Sequence, residues 1–164
     1  MIAFTVPGIP VPQGSKRVVP TRAGPRAIES NEKRLKPWRT TVALMAADAF
    51  DGQPLTGPLQ LKVEFVLPRP KSHFGTGRNA GLLKGSAPTY VQTKPDLDKL
   101  VRAIGDALTG VVARDDSQFA HVNVWKVYGE PARAVIEIRE LDAKEYVEDY
   151  NGGQHAVSRL VEAA

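Results

Sequence analysis

Four aspartates lie at the two ends of one amphipathic segment. Asp96 and Asp98 occur near its start, and Asp115 and Asp116 follow just past its end. Carboxylates held together bind divalent cations through oxygen, and a cation bound in this way activates water for phosphodiester hydrolysis. The pattern therefore favours a metal-dependent cut of a phosphodiester as the first hypothesis.

Each aspartate also suits an ordinary structural role. Asp96 is a good helix N-cap, Asp98 would lie in the first helical turn, and Asp115-Asp116 could form a turn. Clustered carboxylates, however, repel one another: two unit charges about 4 Å apart cost on the order of 4 kcal/mol at an effective dielectric near 20. Asp115 and Asp116 meet Asp96 and Asp98 only if the tertiary fold brings the chain that follows the helical segment back to the start of that segment.

The residue types limit which metal such a site would hold. The chain of 164 residues has no cysteine and only three scattered histidines, so a thiolate or imidazole-rich zinc site is disfavoured. Oxygen ligands suit Mg²⁺, with Mn²⁺ as a substitute.

Two basic residues are candidates to complete the site. Arg102 lies one helical turn beyond Asp98, where it could form an ordinary ion pair or reach a scissile phosphate. Lys126 interrupts the apolar alternation of Ala120, Val122 and Val124, which indicates either a role facing the site or a lysine that snorkels at a strand end.

The charges are segregated along the chain. Residues 1–28 and 66–95 contain bases but no acid, whereas the segment from Leu141 carries five acids against two bases, which leaves +7 on residues 1–140. Basic loops rich in Gly and Pro are typical of segments that follow a phosphate backbone, although an unevenly charged surface is the simpler reading. The DNA-binding candidates are Lys16, Arg17, Arg69, Lys71, Arg78, Lys94, Lys99 and Lys126.

Periodicity predicts the elements that position these residues. The segment between the aspartates repeats apolar residues at helical spacing from Leu97 to Val111, with Pro95 opening the helix and Gly110 closing it. The other predicted elements are a strand over 2–6, a long loop over 8–31, a helix from Pro37 to Phe50 with Trp38, Val42, Met45 and Ala49 on one face, a strand over Leu59–Leu67 with one wetter face, an irregular segment over 68–94, and a hairpin of strands near 120–124 and 134–138.

This order predicts an α+β fold in a single domain, with a mixed, mostly antiparallel sheet and two main helices packed on it. We expect the domain to span residues 1–140, and residues 141–164 to form an acidic tail or a short docking helix near Gln154–Ala163. No apolar run approaches the roughly 20 residues of a membrane span, and the N-terminus lacks a signal-peptide layout. We therefore expect a soluble protein of the cytoplasm, with no membrane partner.

Four runs along the chain resemble the RusA family of Holliday junction resolvases. They are Lys94-Pro95-Asp96-Leu97-Asp98-Lys99-Leu100, then Asp106-Ala107-Leu108, then Asp115-Asp116-Ser117-Gln118, and a strand that ends in Lys126. The specific match covers about residues 92–126, and looser agreement extends it over 1–140.

The resemblance implies a magnesium-dependent, homodimeric endonuclease that nicks two opposed strands of a four-way DNA junction and is usually encoded by phages or prophages. By position, Asp96, Asp98 and Asp116 match the family's catalytic aspartates, with Asp115 beside them as a weaker metal ligand. Arg102 stands where the family usually has an essential lysine, and Lys99 where asparagine is common. A guanidinium keeps the positive charge at position 102 but cannot donate a proton as an ammonium can.

Two alternatives stay open from the sequence. Pro95-Asp96 with Glu137-Ile138-Arg139 faintly resembles the PD-(D/E)xK nuclease signature, although its lysine is replaced. A DNA-binding or architectural protein without catalytic activity would use the basic loops alone.

Overall fold

The computed structural model describes residues 1–22, 24–29 and 31–142, with only the backbone for Lys16, Arg17 and residues 26–29. The strands and helices in chain order are β1 (Ile2–Pro7), β2 (Lys16–Thr21), β3 (Gly24–Glu29), α1 (Glu32–Ala49), β4 (Leu59–Leu67), α2 (Leu97–Leu108), β5 (Phe119–Tyr128) and β6 (Arg133–Glu140). The segment 143–164, with its predicted docking helix, lies outside the described residues.

The main sheet has the strand order β1-β6-β4-β5, and β2 pairs only with β3. The β1–β6 and β6–β4 pairings are antiparallel, and the β4–β5 pairing is parallel. Both helices pack on the sheet from one side, where their apolar residues join the core. The predicted α+β class, with a mixed and mostly antiparallel sheet, is confirmed.

The strand predicted over Leu59–Leu67 is confirmed as β4. Leu61, Val63 and Phe65 are fully buried against the helices, whereas Lys62 and Glu64 on the alternate face are half-buried. This second face is wetter than the core face, as predicted, and its polar side chains bond laterally to Glu137 of β6 and Trp125 of β5.

The predicted C-terminal hairpin is wrong, because β5 and β6 are not neighbours. β4 lies between them, parallel to β5 and antiparallel to β6, so the turn at 129–131 carries the chain across the end of β4. The predicted burial of Ala120 and Val122 is also wrong: both are exposed, since β5 is an edge strand. Val124 does pack against the core.

The first helix begins at Glu32, five residues before the predicted start. Pro37 lies inside α1, where it removes one backbone hydrogen bond without ending the helix. Trp38 and Val42 are buried as expected, together with Leu35 and Ala46, but Ala49 is exposed.

The loop predicted over residues 8–31 contains a hairpin. β2 and β3 pair in antiparallel register around a turn in which Gly24 has φ +111°, a conformation that glycine adopts at no steric cost. The Thr21 hydroxyl donates a hydrogen bond to the Gly24 carbonyl at 2.6 Å. Pro20 and Pro25 concealed this hairpin in the sequence pattern, because proline is rare in paired strands.

The second helix is confirmed as α2. Leu100, Ile104 and Leu108 are fully buried, and Asp106 on the polar side pairs with Arg39 of α1. The segment 68–94 is irregular as predicted, with two short 3-10 turns at Lys71–His73 and Gly77–Asn79. Within the described residues, no helix combines the length and apolarity that crossing a membrane requires.

Candidate active site

Asp96 lies at the N-cap position of α2 but does not cap the helix with its side chain. Its carboxylate instead pairs with the Lys99 ammonium at 2.8 Å. The hydrogen bond and the charge of Lys99, with smaller contributions from Lys94 and Lys126, hold the pKa of Asp96 below its usual value. The carboxylate is therefore ionised at neutral pH, and a metal cation can replace Lys99 as its counter-ion.

Lys126 fastens the segment that leads into α2. Its Nζ donates to the carbonyls of Thr93 and Pro95, both at 2.7 Å. Hydrogen bonds from an ammonium to backbone carbonyls are among the stronger ones in proteins. The structure thus places Lys126 beside Asp96, with its charge engaged by backbone rather than directed to solvent.

Asp98, Arg102 and Gly105 follow one face of α2 at spacings of four and three residues. A Cβ at Gly105 would lie 3.8 Å from the Cβ of Asp116, so Asp116 packs directly against this face. From Asp98 to Gly105 the helix rises by about 10 Å. Asp98, Arg102 and Asp116 are exposed, and within the described chain they have no hydrogen bond or ion pair.

Asp115 has a structural role. Its side chain accepts a hydrogen bond from the Ser117 amide at 3.0 Å, while Gln118 Oε1 accepts from the Asp115 amide, which forms a capping box over Asp116–Gln118. The Ser117 hydrogen bonds lower the pKa of Asp115. Gln118 Nε2 also donates to the carbonyls of Leu55 and Gly57, both at 2.9 Å, and this anchor holds the turn against α2.

The structure therefore brings the two aspartate pairs to one side of α2 without closing them into a single cluster. Across the described residues, no three carboxylate or imidazole groups lie close enough together to hold a metal ion. The donor chemistry nevertheless fits Mg²⁺, which usually takes one or two protein carboxylates and completes its shell with water and phosphate oxygens. Asp96 and Asp98 supply such carboxylates, and both are exposed.

The predicted DNA-binding residues differ in whether their side chains already have hydrogen-bond or ion-pair partners. Arg69 donates to the Pro88 carbonyl at 2.8 Å and lies 5.4 Å from the centre of the Tyr128 ring, so it supports the 68–94 segment. Lys71, Arg78 and Lys94 are exposed and within the described chain form no ion pair. The side chains of Lys16 and Arg17 lie outside the described residues.

An open groove of about 420 Å³ adjoins Asp96. The segment Ile9–Ser15 forms one wall, Asn31 and Arg34 at the start of α1 form another, and Leu67 with residues 94–96 and Lys99 completes it. Sequence reasoning missed Asn31 and Arg34 because the helix was predicted to start at Pro37. The run of charged residues after Asn31, a good N-cap type, was the signal that could have found them.

Glu137 and Arg139 of the alternative nuclease signature lie on the other face of the sheet. Glu137 pairs with Lys62 at 3.1 Å, and Arg139 Nε donates to Gln60 Oε1 at 3.0 Å. Lys62 is five residues before Leu67 on β4, a distance of about 16 Å along the strand. These groups are therefore separated from Asp96 and already engaged.

Comparison with known proteins identifies a family for most of the chain. Residues 7–139 match the family described as endodeoxyribonuclease RusA, which includes every aspartate of the candidate site. A relative from Bacillus subtilis (strain 168), named uncharacterized protein YqaN, is 36% identical over 147 residues, which covers 87% of this chain and 98% of the relative. The chain belongs to the RusA family of endodeoxyribonucleases.

Proposed function

We propose that this protein is a magnesium-dependent, structure-selective endodeoxyribonuclease that resolves four-way DNA junctions by paired nicks on opposed strands. The observation that carries the proposal is the exposed face of α2, where Asp98, Arg102 and Asp116 have no partner in the described chain beside the ionised Asp96. Unpaired carboxylates and a guanidinium on one exposed face are available to a ligand that carries both kinds of charge, such as a divalent ion bound to a phosphate. Family membership supports DNA as that ligand.

The residues proposed to hold metal are Asp96 and Asp98 at the start of α2 and Asp116 beside Gly105, with Asp115 as a weaker ligand because its side chain already caps the following turn. Since no three of these carboxylates lie together, an ion would take one or two of them and complete its shell with water and phosphate oxygens. A bound divalent ion, Mg²⁺ or Mn²⁺, supplies charge neutralisation at the phosphate and lowers the pKa of the attacking water. Asp96 is prepared for this role, since its lowered pKa keeps it ionised. Lys99 must leave Asp96 when the ion arrives.

Arg102 lies on the face of α2 between Asp98 and the contact of Gly105 with Asp116. In this position its guanidinium binds the non-bridging oxygens of the scissile phosphate in a bidentate manner and stabilises the charge that develops there. A guanidinium holds its proton at all accessible pH values, so the proton for the leaving oxygen comes from water.

The basic loops hold the junction arms. Lys71, Arg78 and Lys94 present uncommitted charges to the phosphate backbone, whereas Arg69 and Lys126 act by holding their segments in place. Lys16 and Arg17 are proposed as further DNA contacts from their place in the basic N-terminal segment of the sequence. A homodimer presents two active sites to the two-fold junction, and this accounts for paired cuts. The proposed place of action is the interior of the cell. In this proposal the catalytic domain spans 1–140, and residues 141–164 form an acidic tail or a short docking helix.

Cleavage of a labelled synthetic four-way junction, compared with a linear duplex of the same sequence, tests this proposal. With Mg²⁺ we expect symmetric cuts confined to the junction, and with EDTA none. Asp96→Asn should abolish cutting while junction binding is retained or improved, because one negative charge near the phosphate is removed.

Tight junction binding without cutting by the wild type in Mg²⁺ or Mn²⁺ would overturn the catalytic proposal and favour a DNA-binding protein. Normal cleavage by Asp96→Asn would show that the carboxylate site lies elsewhere.

A further inference from the structure

We propose that the groove beside Asp96 holds one unpaired nucleotide of the strand to be cut, with its base against the apolar wall formed by Ile9, Pro12 and Leu67 and its phosphate at Arg34. This inference rests on the proposed action on DNA junctions and assigns a binding subsite to residues outside the aspartate motif.

The groove is held open by hydrogen bonds that tie its walls together. The backbone N–H of Gln13 donates to the backbone carbonyl of Lys99 in α2 at 2.9 Å. The side-chain Nδ2 of Asn31 donates to the Pro12 carbonyl. The Ile9–Ser15 wall is therefore fastened both to the helix that carries Asp98 and to the start of α1. A cavity held in this way binds a ligand without first having to order its own walls.

The lining is apolar at one side and basic at the other. Ile9 is 51% exposed, and it borders the groove with Pro12 and Leu67. Apolar side chains that stack on a base replace the stacking it loses when it leaves the duplex. The groove volume of about 420 Å³ lies in the range of small-ligand sites.

The charges at the groove favour a phosphate. Arg34, Lys94 and Lys99 face a single acid, Asp96, so three bases lie against one carboxylate. Arg34 is exposed, and within the described chain it has no ion pair or side-chain hydrogen bond. Its guanidinium is thus free to hold the phosphate adjacent to the scissile one.

One further polar atom lies in the wall. Asn31 Nδ2 is committed to Pro12, while Oδ1 is buried and has no hydrogen-bond donor among the described residues. Asn31 starts α1 without capping it, so this acceptor is left unused by the helix. Because this oxygen has almost no accessible surface, it is an unsatisfied atom within the wall and is not counted among the contacts to the base.

A four-way junction supplies the ligand, because its crossover nucleotides have lost part of their stacking and are the least costly to displace. The groove adjoins Asp96, so a nucleotide held there places the neighbouring phosphate beside the aspartates. The groove then acts as a positioning site for the cut.

Binding measured in EDTA tests this without cleavage. Two junctions are compared, one with natural crossover nucleotides and one with abasic residues at the same positions. For the wild type we expect about tenfold weaker binding of the abasic junction, since stacking of one base contributes an effect of this size. Ile9→Ser should remove most of this difference, whereas Leu82→Ser, which also changes an exposed aliphatic residue, should keep it.

Arg34→Gln should weaken binding of both junctions equally, by about fivefold, because a phosphate contact does not depend on the base. Lys33→Gln removes a neighbouring exposed charge that does not line the groove and should have a smaller effect. Thermal melting of each variant confirms that it is folded.

Equal wild-type affinity for the two junctions, a difference that persists in Ile9→Ser, or equal effects of Arg34→Gln and Lys33→Gln would each overturn the groove assignment. If the wild type cuts the junction in Mg²⁺ but binds the natural and abasic junctions equally well, this inference is overturned and the proposed function stands. If the wild type binds the abasic junction more weakly but cuts neither junction, the nucleotide site in the groove is supported and the catalytic proposal is overturned.

Discussion

The two faces of the molecule use the same kinds of charged residues in opposite ways. On the sheet face away from the helices, Lys62 pairs with Glu137 and the Trp125 indole donates to Glu64 at 2.9 Å. On the exposed face of α2, Asp98 and Arg102 have no such partner in the described chain.

The sheet-face groups still reach solvent, since the side chains of Lys62 and Glu137 are 42% and 39% exposed. Their charges are satisfied by strand register, which sets Lys62 of β4 opposite Glu137 of β6. On α2, Asp98 and Arg102 are four residues apart, which is a spacing that allows an ion pair, but they do not form one. The presence of a partner therefore distinguishes the ion pairs of the sheet face from the α2 residues that we propose to bind a ligand.

The largest expected difference between the two faces is in the cleavage rates of Asp98→Asn and Glu137→Gln. We expect Asp98→Asn to lower the junction cleavage rate by about 100-fold or more, because loss of a metal ligand removes several kcal/mol of transition-state stabilisation. Glu137→Gln should change that rate by less than about threefold, since it disrupts only an exposed ion pair. Single-turnover cleavage with Mg²⁺ measures both, and a larger loss in Glu137→Gln would reverse the assignment of the two faces.

Arg102→Ala should have the next largest effect. Loss of the guanidinium is expected to lower the cleavage rate by about 10- to 100-fold, because a charge-assisted contact to the phosphate is removed. The melting temperature should stay unchanged, since Arg102 has no partner within the described structure. A melting temperature that falls with the rate would indicate a structural role instead. Lys62→Ala is the matched cation on the paired face and should leave cleavage intact.

Lys126→Met should act mainly on stability. Two hydrogen bonds from the ammonium to the Thr93 and Pro95 carbonyls are lost, and we expect the free energy of unfolding to fall by about 2 kcal/mol. Cleavage should fall as well, because Asp96 directly follows the fastened segment. Chemical denaturation measures the first effect, and unchanged stability would show that Lys126 does not hold this segment.

Lys99→Asn should produce the smallest effect, seen in the pH dependence. Without Lys99 the pKa of Asp96 returns toward its usual value, so the acidic limb of the cleavage profile should move to higher pH. The folded-state pKa of Asp96 lies below the unfolded one, so the ion pair stabilises the protein above the unfolded pKa, and this contribution is lost as the pH falls through the folded value. Lys99→Arg keeps the pair and should leave the acidic limb in place.

Local periodicity predicted β4 and α2 closely. Leu61, Val63 and Phe65 alternate along β4, and Leu100, Ile104 and Leu108 repeat along α2, so each pattern was readable from neighbouring residues. The hairpin of β5 and β6 was predicted wrongly from the same kind of signal. Two alternating strands with a short turn favour direct pairing, but the apolar β4 is better buried between them.

The candidate site was predictable where its residues are close in sequence. Asp96 and Asp98 were recognisable from their spacing at the start of a helix. The approach of Asp116 to α2 depends on Gln118, which is anchored on carbonyls about 60 residues earlier in the chain.

The sequence by itself determined the types of chemistry, the apolar faces of β4 and α2, and the family, because these depend on residue identity and on short periods. Only the tertiary structure decided that Asp98, Arg102 and Asp116 share an exposed face, that Lys126 is engaged by backbone, and that a groove adjoins Asp96. The physical reason is that strand order and helix packing depend on contacts between residues far apart in the chain, whose energies no local pattern contains.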